Sequence, residues 1–481
     1  MIDSPHPAPA QHKPLILAIC CMSILIVSLD TTILNVALPS IKRDLHASVA
    51  GAQWTIDAYL LVLGSLLLLA GSTADRIGRR RVFQLGLSVF TLGSLLCSVA
   101  PSLGWLIAFR MLQAAGGSML NPVALSIISN TFTDGRERAR AIGVWSGVVG
   151  ISIASGPIIG GALVDGIGWR SVFWINVPIG IAALALARRF VPESHALKVR
   201  RPDPIGQLLI IAFLASLVYA IIEAPTNGWG GPITIGCFAA SLACLAGLIR
   251  YELGRSEPLL ELRFFRSAPF SGGSIVAVSA FAAFGGFLFF NTLYLQDIRG
   301  FSALRAGLFL LPMAGAMFVL GPVSGYLVSR RGPRPSLTIG GVSLSLAALL
   351  FALWGSHLPD GRLFLGYGLI GVGLGMMNAA ITNTAVSGMP RSQAGVASAT
   401  TATTRQIGQA LGVAIVGSVL ASGAGGITPG SAFTSSARTS WWIIFCFGLI
   451  VLLVARTTMG SWGRETAART AVLFGAEEEQ A

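Results

Sequence analysis

This chain has little charge to offer water. Only 11% of its 481 residues are charged, and lysine occurs three times, at Lys13, Lys42 and Lys198, where a soluble domain carries about 25% charged residues. Each scarcity removes a class of function. No GxxxxGK[ST] phosphate loop occurs and no lysine sits in the glycine framework that ATP binding needs, so a primary ATP-driven pump in this one chain is disfavoured. The six cysteines, Cys20, Cys21, Cys97, Cys237, Cys244 and Cys446, fall within apolar stretches without paired metal-ligand spacing, and read as small buried thiols. No convergent nucleophile, metal cluster or cofactor motif is present, so neither an enzyme nor a bound cofactor is expected. Connections are too short for a soluble catalytic domain. The longest span 192–204, 254–267 and 421–440, and the first, with Lys198, Arg200, Arg201 and three prolines, reads as a linker.

Apolar residues are abundant, at 53% with a mean hydropathy of +0.74. They gather into fourteen stretches, 15–38, 54–74, 82–100, 103–127, 141–164, 172–187, 205–224, 232–249, 270–295, 306–329, 336–354, 363–385, 396–420 and 441–455, most of them near the ~20 residues that cross a bilayer as a helix. The expected fold is an all-α polytopic membrane protein with 14 transmembrane helices. The first stretch is too long for a cleaved signal core and is interrupted by an acid, so an uncleaved first helix is expected. The polar ends, 1–11 and beyond Arg464, read as short mobile tails.

The formal charge of +13 suggests nucleic acid until its distribution is read. Of 33 Lys and Arg residues, 24 lie in the N-terminus, the even-to-odd connections and the C-terminus, 7 on the opposite side, and 2 inside spans, Arg110 and Arg405. That is the positive-inside asymmetry of a multi-pass protein of a bacterial-type inner (cell) membrane with both termini cytoplasmic. Clusters such as Arg76, Arg79, Arg80 and Arg81, or Arg188, Arg189, Lys198, Arg200 and Arg201, read as topology signals beside anionic membrane lipids; no nucleic-acid module accompanies them.

A shift of 254 positions aligns Gly71 with Gly325, Arg76 with Arg330, Gly78 with Gly332 and Arg80 with Arg334, while Asp75 becomes Ser329. Both segments leave an even-numbered helix on the same side, as parallel repeats require. At these residues the chain resembles a family. GSTADRIGRRR at Gly71–Arg81 is similar to the cytoplasmic signature of the major facilitator superfamily. LDTTILNVALP from Leu29, GVVGISIASGPIIGG from Gly147 and WRSVFWINVPIG from Trp169 resemble its fourteen-helix drug:proton antiporter branch. RMLQAAGG from Arg110, LYLQDIRGFSALRAGLFLLP from Leu293 and TTRQIGQALGVA from Thr403 extend the resemblance along nearly the whole chain. It implies two six-helix bundles, 1–190 and 269–460, an inserted helix pair within 191–268, a cytoplasmic tail at 461–481, and a central cavity opened alternately to either side.

With no ATP site, protonatable groups inside the membrane become the candidates for energy coupling. Asp30 lies deep in helix one, Asp57 in the outer part of helix two and Arg110 in the outer part of helix four, at depths that permit interaction. Asp30 reads either as the site of a coupling proton or as an aspartate permanently paired with Arg110. Asp57 reads as a coupling or cation-attracting acid, or as an interfacial aspartate facing the external mouth. Glu223, near the end of helix seven, reads as snorkelling. Arg405 reads as structural, bonded to carbonyls or to Gln406 and Gln409. The resemblance implies a gate built from Gly71, Asp75, Arg76, Gly78, Arg79 and Arg80, for which a static loop clasp and topology signal is the competing reading, with Gly156 and Pro157 in helix five giving close packing or a hinge.

The substrate-cavity candidates are polar or soft side chains within spans: Asn35, Gln113, Asn121, Asn291 and Asn378, with Phe284, Phe287, Tyr294 and Met377 offering aromatic and polarisable surface. Bundle-core packing is the competing reading for the aromatic set. The expected function is proton-coupled efflux of amphipathic or cationic drugs, a secondary active transporter whose partners are a small-molecule substrate, protons and membrane lipids. An exporter of a lipid or biosynthetic product uses the same frame, and a nontransporting receptor is a third class. Cysteine labels in the connections 100–103 or 227–231 are expected to react from outside the cell, and labels near Arg79, Arg200 or Arg334 from the cytoplasm; the opposite pattern reverses the orientation.

Overall fold

In a computed structural model of the chain, residues 12–195, 203–255, 257–353, 359–387, 394–423 and 431–478 are described; the basic residues Lys198, Arg200 and Arg201 lie outside them. The helices are α1 (Lys13–Asp44), α2 (Val49–Ile77), α3 (Arg79–Ser98), α4 (Leu103–Thr131), α5 (Gly135–Gly166), α6 (Ser171–Phe190, broken at Ile175), α7 (Pro204–Asn227), α8 (Pro232–Leu253), α9 (Ala268–Ile298, its last turn a π-helix), α10 (Ala303–Arg331, broken at Leu310), α11 (Pro333–Leu353), α12 (Asp360–Val386), α13 (Ala394–Ser422), α14 (Ser431–Thr457) and α15 (Ser461–Glu478). Thirteen are long and apolar enough to cross a membrane. The fourteenth crossing is α13, whose threonines, Arg405 and glutamines make it more polar but which packs between α2 and α9.

Local chemistry sets the helix ends. Ser48 accepts from the Gly51 N–H and starts α2; the Asp134 carboxylate accepts from the Arg136 and Glu137 N–H groups and starts α5. The Glu137 amide is the main cause holding the Asp134 carboxyl below the usual carboxylate range. Pro at the first or second position opens α7, α8 and α9. Gly78 and Gly332 turn the chain with φ of 118° and 76°, between α2 and α3 and between α10 and α11. The two aligned repeats therefore share a backbone turn as well as residues.

Helices α1 to α6 pack as one bundle and α9 to α14 as another. In the first, α4 is the hub: a Cβ at Gly116 would lie 2.3 Å from the Phe90 nitrogen, and one at Gly93 would lie 2.6 Å from the Gln113 Cα, so α3 and α4 touch backbone to backbone. In the second, Gly408 and Gly412 bring α13 against the α9 backbone at Val278 and Ala282. The inserted pair α7–α8 leans on both bundles through α7. Gln207 donates to the Ser65 carbonyl of α2 at 2.8 Å, and Val218 and Ile222 cluster with Ala414 of α13.

One expectation fails at the C-terminus. The segment beyond Arg464 is not a loose tail over its described part, because α15 continues to Glu478. Phe474 is buried against Phe264 and Phe270, and the Ala268 N–H donates to Thr466 Oγ1. Three separated aromatics, none of them in a periodic run, supply that docking.

Candidate functional site

Polar groups within a bilayer find partners in the protein or in a wet opening. The largest such group here is centred on Asp30 in α1. Its Oδ2 receives Arg110 Nη1 of α4 at 2.5 Å; its Oδ1 accepts from Gln113 Nε2 at 2.9 Å and from Asn176 Nδ2 of α6 at 3.2 Å. Arg110 Nη1 also donates to Gln113 Oε1 at 2.8 Å, its Nε points at the Thr55 carbonyl of α2 at 3.4 Å, and its guanidinium lies 4.0 Å from the Tyr59 ring centre. Ser94 of α3 accepts from Gln113 and Asn176 and donates to the Phe173 carbonyl. Asp30 and Arg110 are each 1% exposed. Five helices of the first bundle thus converge on one ion pair with nearly complete hydrogen bonding.

Asp30 and Arg110 were both foreseen as coupling candidates, at depths that permit the contact seen here. Gln113, expected in a substrate cavity, is instead a member of this network. Asn176 and Ser94 were missed, although an asparagine inside the apolar run WINVP is the kind of buried polar residue that needs a partner.

Asp57 has a different setting. It is fully buried, and neither carboxylate oxygen has a hydrogen-bond partner among the described residues. It lies one turn beyond Gln53, whose Nε2 donates to the Val413 and Ala414 carbonyls of α13, and seven residues before Gly64, against which Gln406 of α13 packs. The helical repeat places Asp57 on that same stripe, at the seam between the bundles and away from an open external mouth. Glu223, expected to snorkel, accepts from Trp54 Nε1 at 2.8 Å nearby.

The other seam is formed by α5 and α10. At the end distant from the chain termini the two helices touch backbone to backbone: a Cβ at Gly161 would sit 2.5 Å from Leu304 Cα, and one at Gly307 would sit 2.2 Å from the Pro157 carbonyl oxygen. Asp165 accepts from the Ala303 and Leu304 N–H groups, Lys42 pairs with Asp297 at 3.4 Å, and Gln296 donates to the Val36 carbonyl. Gly156 abuts Thr32 of α1. Gly150 and Gly147 lie one and two heptads before Pro157 and Gly161 on the same stripe, yet nothing comes within 4 Å of a Cβ built on either; the same is true of Gly321 and Gly325 on the Gly307 stripe of α10. The bundles are therefore joined at the far end and parted at the end that carries the termini.

The α2–α3 corner lies at the parted end. Arg79 pairs with Asp75 at 3.0 Å, Glu193 packs on Gly78 and accepts from the Arg80 N–H at 3.0 Å, and the Arg79 N–H donates to the Ser194 carbonyl. All these contacts stay among α2, α3 and the chain just after α6, and none reaches the second bundle. Arg76 is exposed and Gly71 partly exposed beside them.

Of the nine cavity candidates, only Asn121 and Asn378 have appreciable exposure. Asn35 donates to the Thr31 carbonyl of its own helix. Phe287 packs on Tyr367 and Trp441, Phe284 meets Phe281 edge to face, Tyr294 stacks on Phe290, Asn291 bonds Tyr367, and Met377 fills the surface of Gly340. In this conformation these seven side chains are packing or network groups, because a three-residue spacing turns the aromatics around α9 rather than along one face. Arg405 bonds a carbonyl as expected, but that of Asn378 in α12; Gln406 and Gln409 face α2 and α9 instead.

Two bundles joined at one end of their shared faces and open at the other form the frame of a polytopic transporter. A family model described as Major Facilitator Superfamily matches residues 20–413. Over 422 residues the chain is 39% identical to the tetracenomycin C resistance and export protein of Streptomyces glaucescens, covering 86% of this chain and 77% of that one. Over 400 residues it is 36% identical to the multidrug resistance protein Stp of Mycobacterium tuberculosis, covering 83% and 74%. The fold matches that of a bacterial homologue of the human lysosomal transporter Spinster, crystallised inward-facing and unoccupied, with a TM-score of 0.64 at 19% identity over 96% of this chain and 98% of that one. The chain belongs to the Major Facilitator Superfamily.

The ion pair yields a stability prediction. Asp30→Asn leaves the buried Arg110 guanidinium without its counter-charge, and breaking one side of such a pair costs about 3–5 kcal/mol. Thermal unfolding in detergent is expected to begin at a clearly lower temperature in D30N than in wild type, with partial recovery in D30N/R110Q. Equal stability of D30N and wild type contradicts the network's role in holding the bundle.

Proposed function

We propose that this protein is a proton-coupled exporter of amphipathic drugs that works by alternating access, with both termini in the cytoplasm of a bacterial-type cell and its cleft open to the cytoplasm in this conformation. The moving units are residues 1–190 and 269–460, carrying the insert 191–268 and the tail 461–481. Relatives bearing export and multidrug-resistance names support the cargo class. The observation that carries the coupling is Asp57, a fully buried acid without a hydrogen-bond partner among the described residues, on the seam that must open for release.

A bare carboxylate on a seam faced by Val413, Ala414 and Gly417 costs several kcal/mol, whereas the neutral acid is tolerated. Proton loss therefore works against the closed far end, and hydration from outside returns the proton and lets the seam shut. Asp30, saturated by Arg110, Gln113 and Asn176, is the second coupling acid. Its contact with Arg110 ties any change in that network to α4.

Gly156 and Pro157 belong to the far-end gate. The corner of Gly71, Asp75, Arg76, Gly78, Arg79 and Arg80 belongs to the opposite gate, and it clasps the second bundle when the cleft closes. Export of a lipid or biosynthetic product uses the same machinery, and the relative named for tetracenomycin C export favours keeping that cargo class beside synthetic drugs.

The experiment is transport in proteoliposomes under an imposed pH gradient. Wild type is expected to accumulate an amphipathic dye only while the gradient lasts. Asp57→Asn is expected to retain exchange of dye across the membrane at zero gradient but to lose gradient-driven accumulation. Normal accumulation and proton movement in D57N would overturn the assignment of Asp57.

A further inference from the structure

One charge near the middle of the membrane is absorbed by neither the ion-pair network nor the gates. Arg405 sits eleven residues into α13, about 16 Å from its cleft-side end at 1.5 Å per residue. Three helices fix it: its Nη2 donates to the Asn378 carbonyl at 3.2 Å and to Thr382 Oγ1 at 2.6 Å, both on α12, and its guanidinium lies 5.4 Å from the Phe281 ring centre on α9.

These partners are neutral. Among the described residues no carboxylate pairs with Arg405, and its Nε is buried without a hydrogen-bond partner. A guanidinium presents five N–H donors, so much of this one's capacity is unused. Arg110, by contrast, is buried and neutralised by Asp30. Arg405 is partly exposed, and on the α12 side Asn378, Thr382 and Asn383 are exposed too. Lipid offers such amides and hydroxyls no partner, so this strip faces a wet opening rather than the bilayer. The arrangement is a cation held rigidly by neutral groups, with an aromatic ring beside it and a water-accessible approach.

We infer that Arg405 is the recognition point for an anionic group, a carboxylate, enolate or phenolate, on an aromatic cargo whose ring lies against Phe281. This rests on the export reading and narrows it. A simple cation entering the same place meets like charge in a low-dielectric setting and is rejected, while an acid gains charge-assisted hydrogen bonds with a planar donor fork. Asn378 and Thr382 then act as positioning residues that aim the guanidinium. A phosphate headgroup of an anionic lipid shares the same chemistry, and the experiment separates the two.

The probes are anthracene-2-carboxylate and its methyl ester, a fluorescent acid and its neutral counterpart. Binding is measured to the full-length protein in nanodiscs of phosphatidylcholine, and transport in proteoliposomes. Wild type is expected to bind the acid at least about 10-fold more tightly than the ester. Arg405→Gln removes that preference and leaves ester binding unchanged, which also shows that the variant is folded; Arg405→Lys keeps part of it. Equal affinity of wild type for acid and ester overturns the inference, as does R405Q weakening both alike, which marks a structural arginine. Loss of acid binding when phosphatidylglycerol replaces phosphatidylcholine assigns the site to a lipid headgroup and overturns the cargo assignment. If wild type moves the ester under a pH gradient but neither binds nor moves the acid, this inference alone fails. If it moves neither, the export reading fails with it.

Discussion

A carboxylate and a guanidinium in contact inside an apolar bundle constrain everything around them. Neither Asp30 nor Arg110 tolerates loss of the other in a medium that offers no water, so α1 and α4 are held at one depth and one rotation. Gln113, Asn176 and Ser94 satisfy the remaining lone pairs and protons and draw α3 and α6 to the same point, while the Thr55 carbonyl brings in α2. Glycines at 93 and 116 let the backbones come close enough for this to happen. Five helices of the first bundle are thereby tied to one point, the kind of cohesion a rocking mechanism requires.

The surfaces between the bundles obey a different rule. On α5 and α10 small residues run the length of the shared stripe, but only those near the far end are in contact. Contact without large interlocking side chains is made and broken at little cost in packing, and polar ties such as Asp165 to the α10 amides and Lys42 to Asp297 add direction. Asp57 sits on the companion seam between α2 and α13. It is buried there, and neither of its carboxylate oxygens has a hydrogen-bond partner among the described residues.

Much of the fold was legible because hydropathy in a bilayer is a strong constraint: the spans, the repeat at Gly78 and Gly332, and the acids within helices all follow from it. Gly78 and Gly332 were readable because a left-handed turn selects glycine. The depths of Asp30 and Arg110 were readable from counting along their helices, but their contact was not. Burial partners, by contrast, are set by helix rotation. Gln113 and Asn35 are polar in spans and looked alike, yet one joins the ion pair and the other bonds its own helix. The aromatics of α9 were as compatible with a cavity as with packing, and Trp441 of α14, far along the chain, decided for packing. Docking of α15 depended on Phe474 meeting Phe264 and Phe270, a contact that no local pattern announces.

The central claim is that protonation of a seam acid decides which end of the cleft is shut. It is tested most directly by paired spin-label distances across α5 and α10 in nanodiscs, one pair at Ile167 and Ser302 on the far end and one at Gly147 and Gly325 on the open end, measured from acidic to alkaline pH. The account predicts that raising the pH lengthens the first distance and shortens the second together, and that Asp57→Asn abolishes the change. Distances that ignore pH, or that respond equally in D57N, would contradict it.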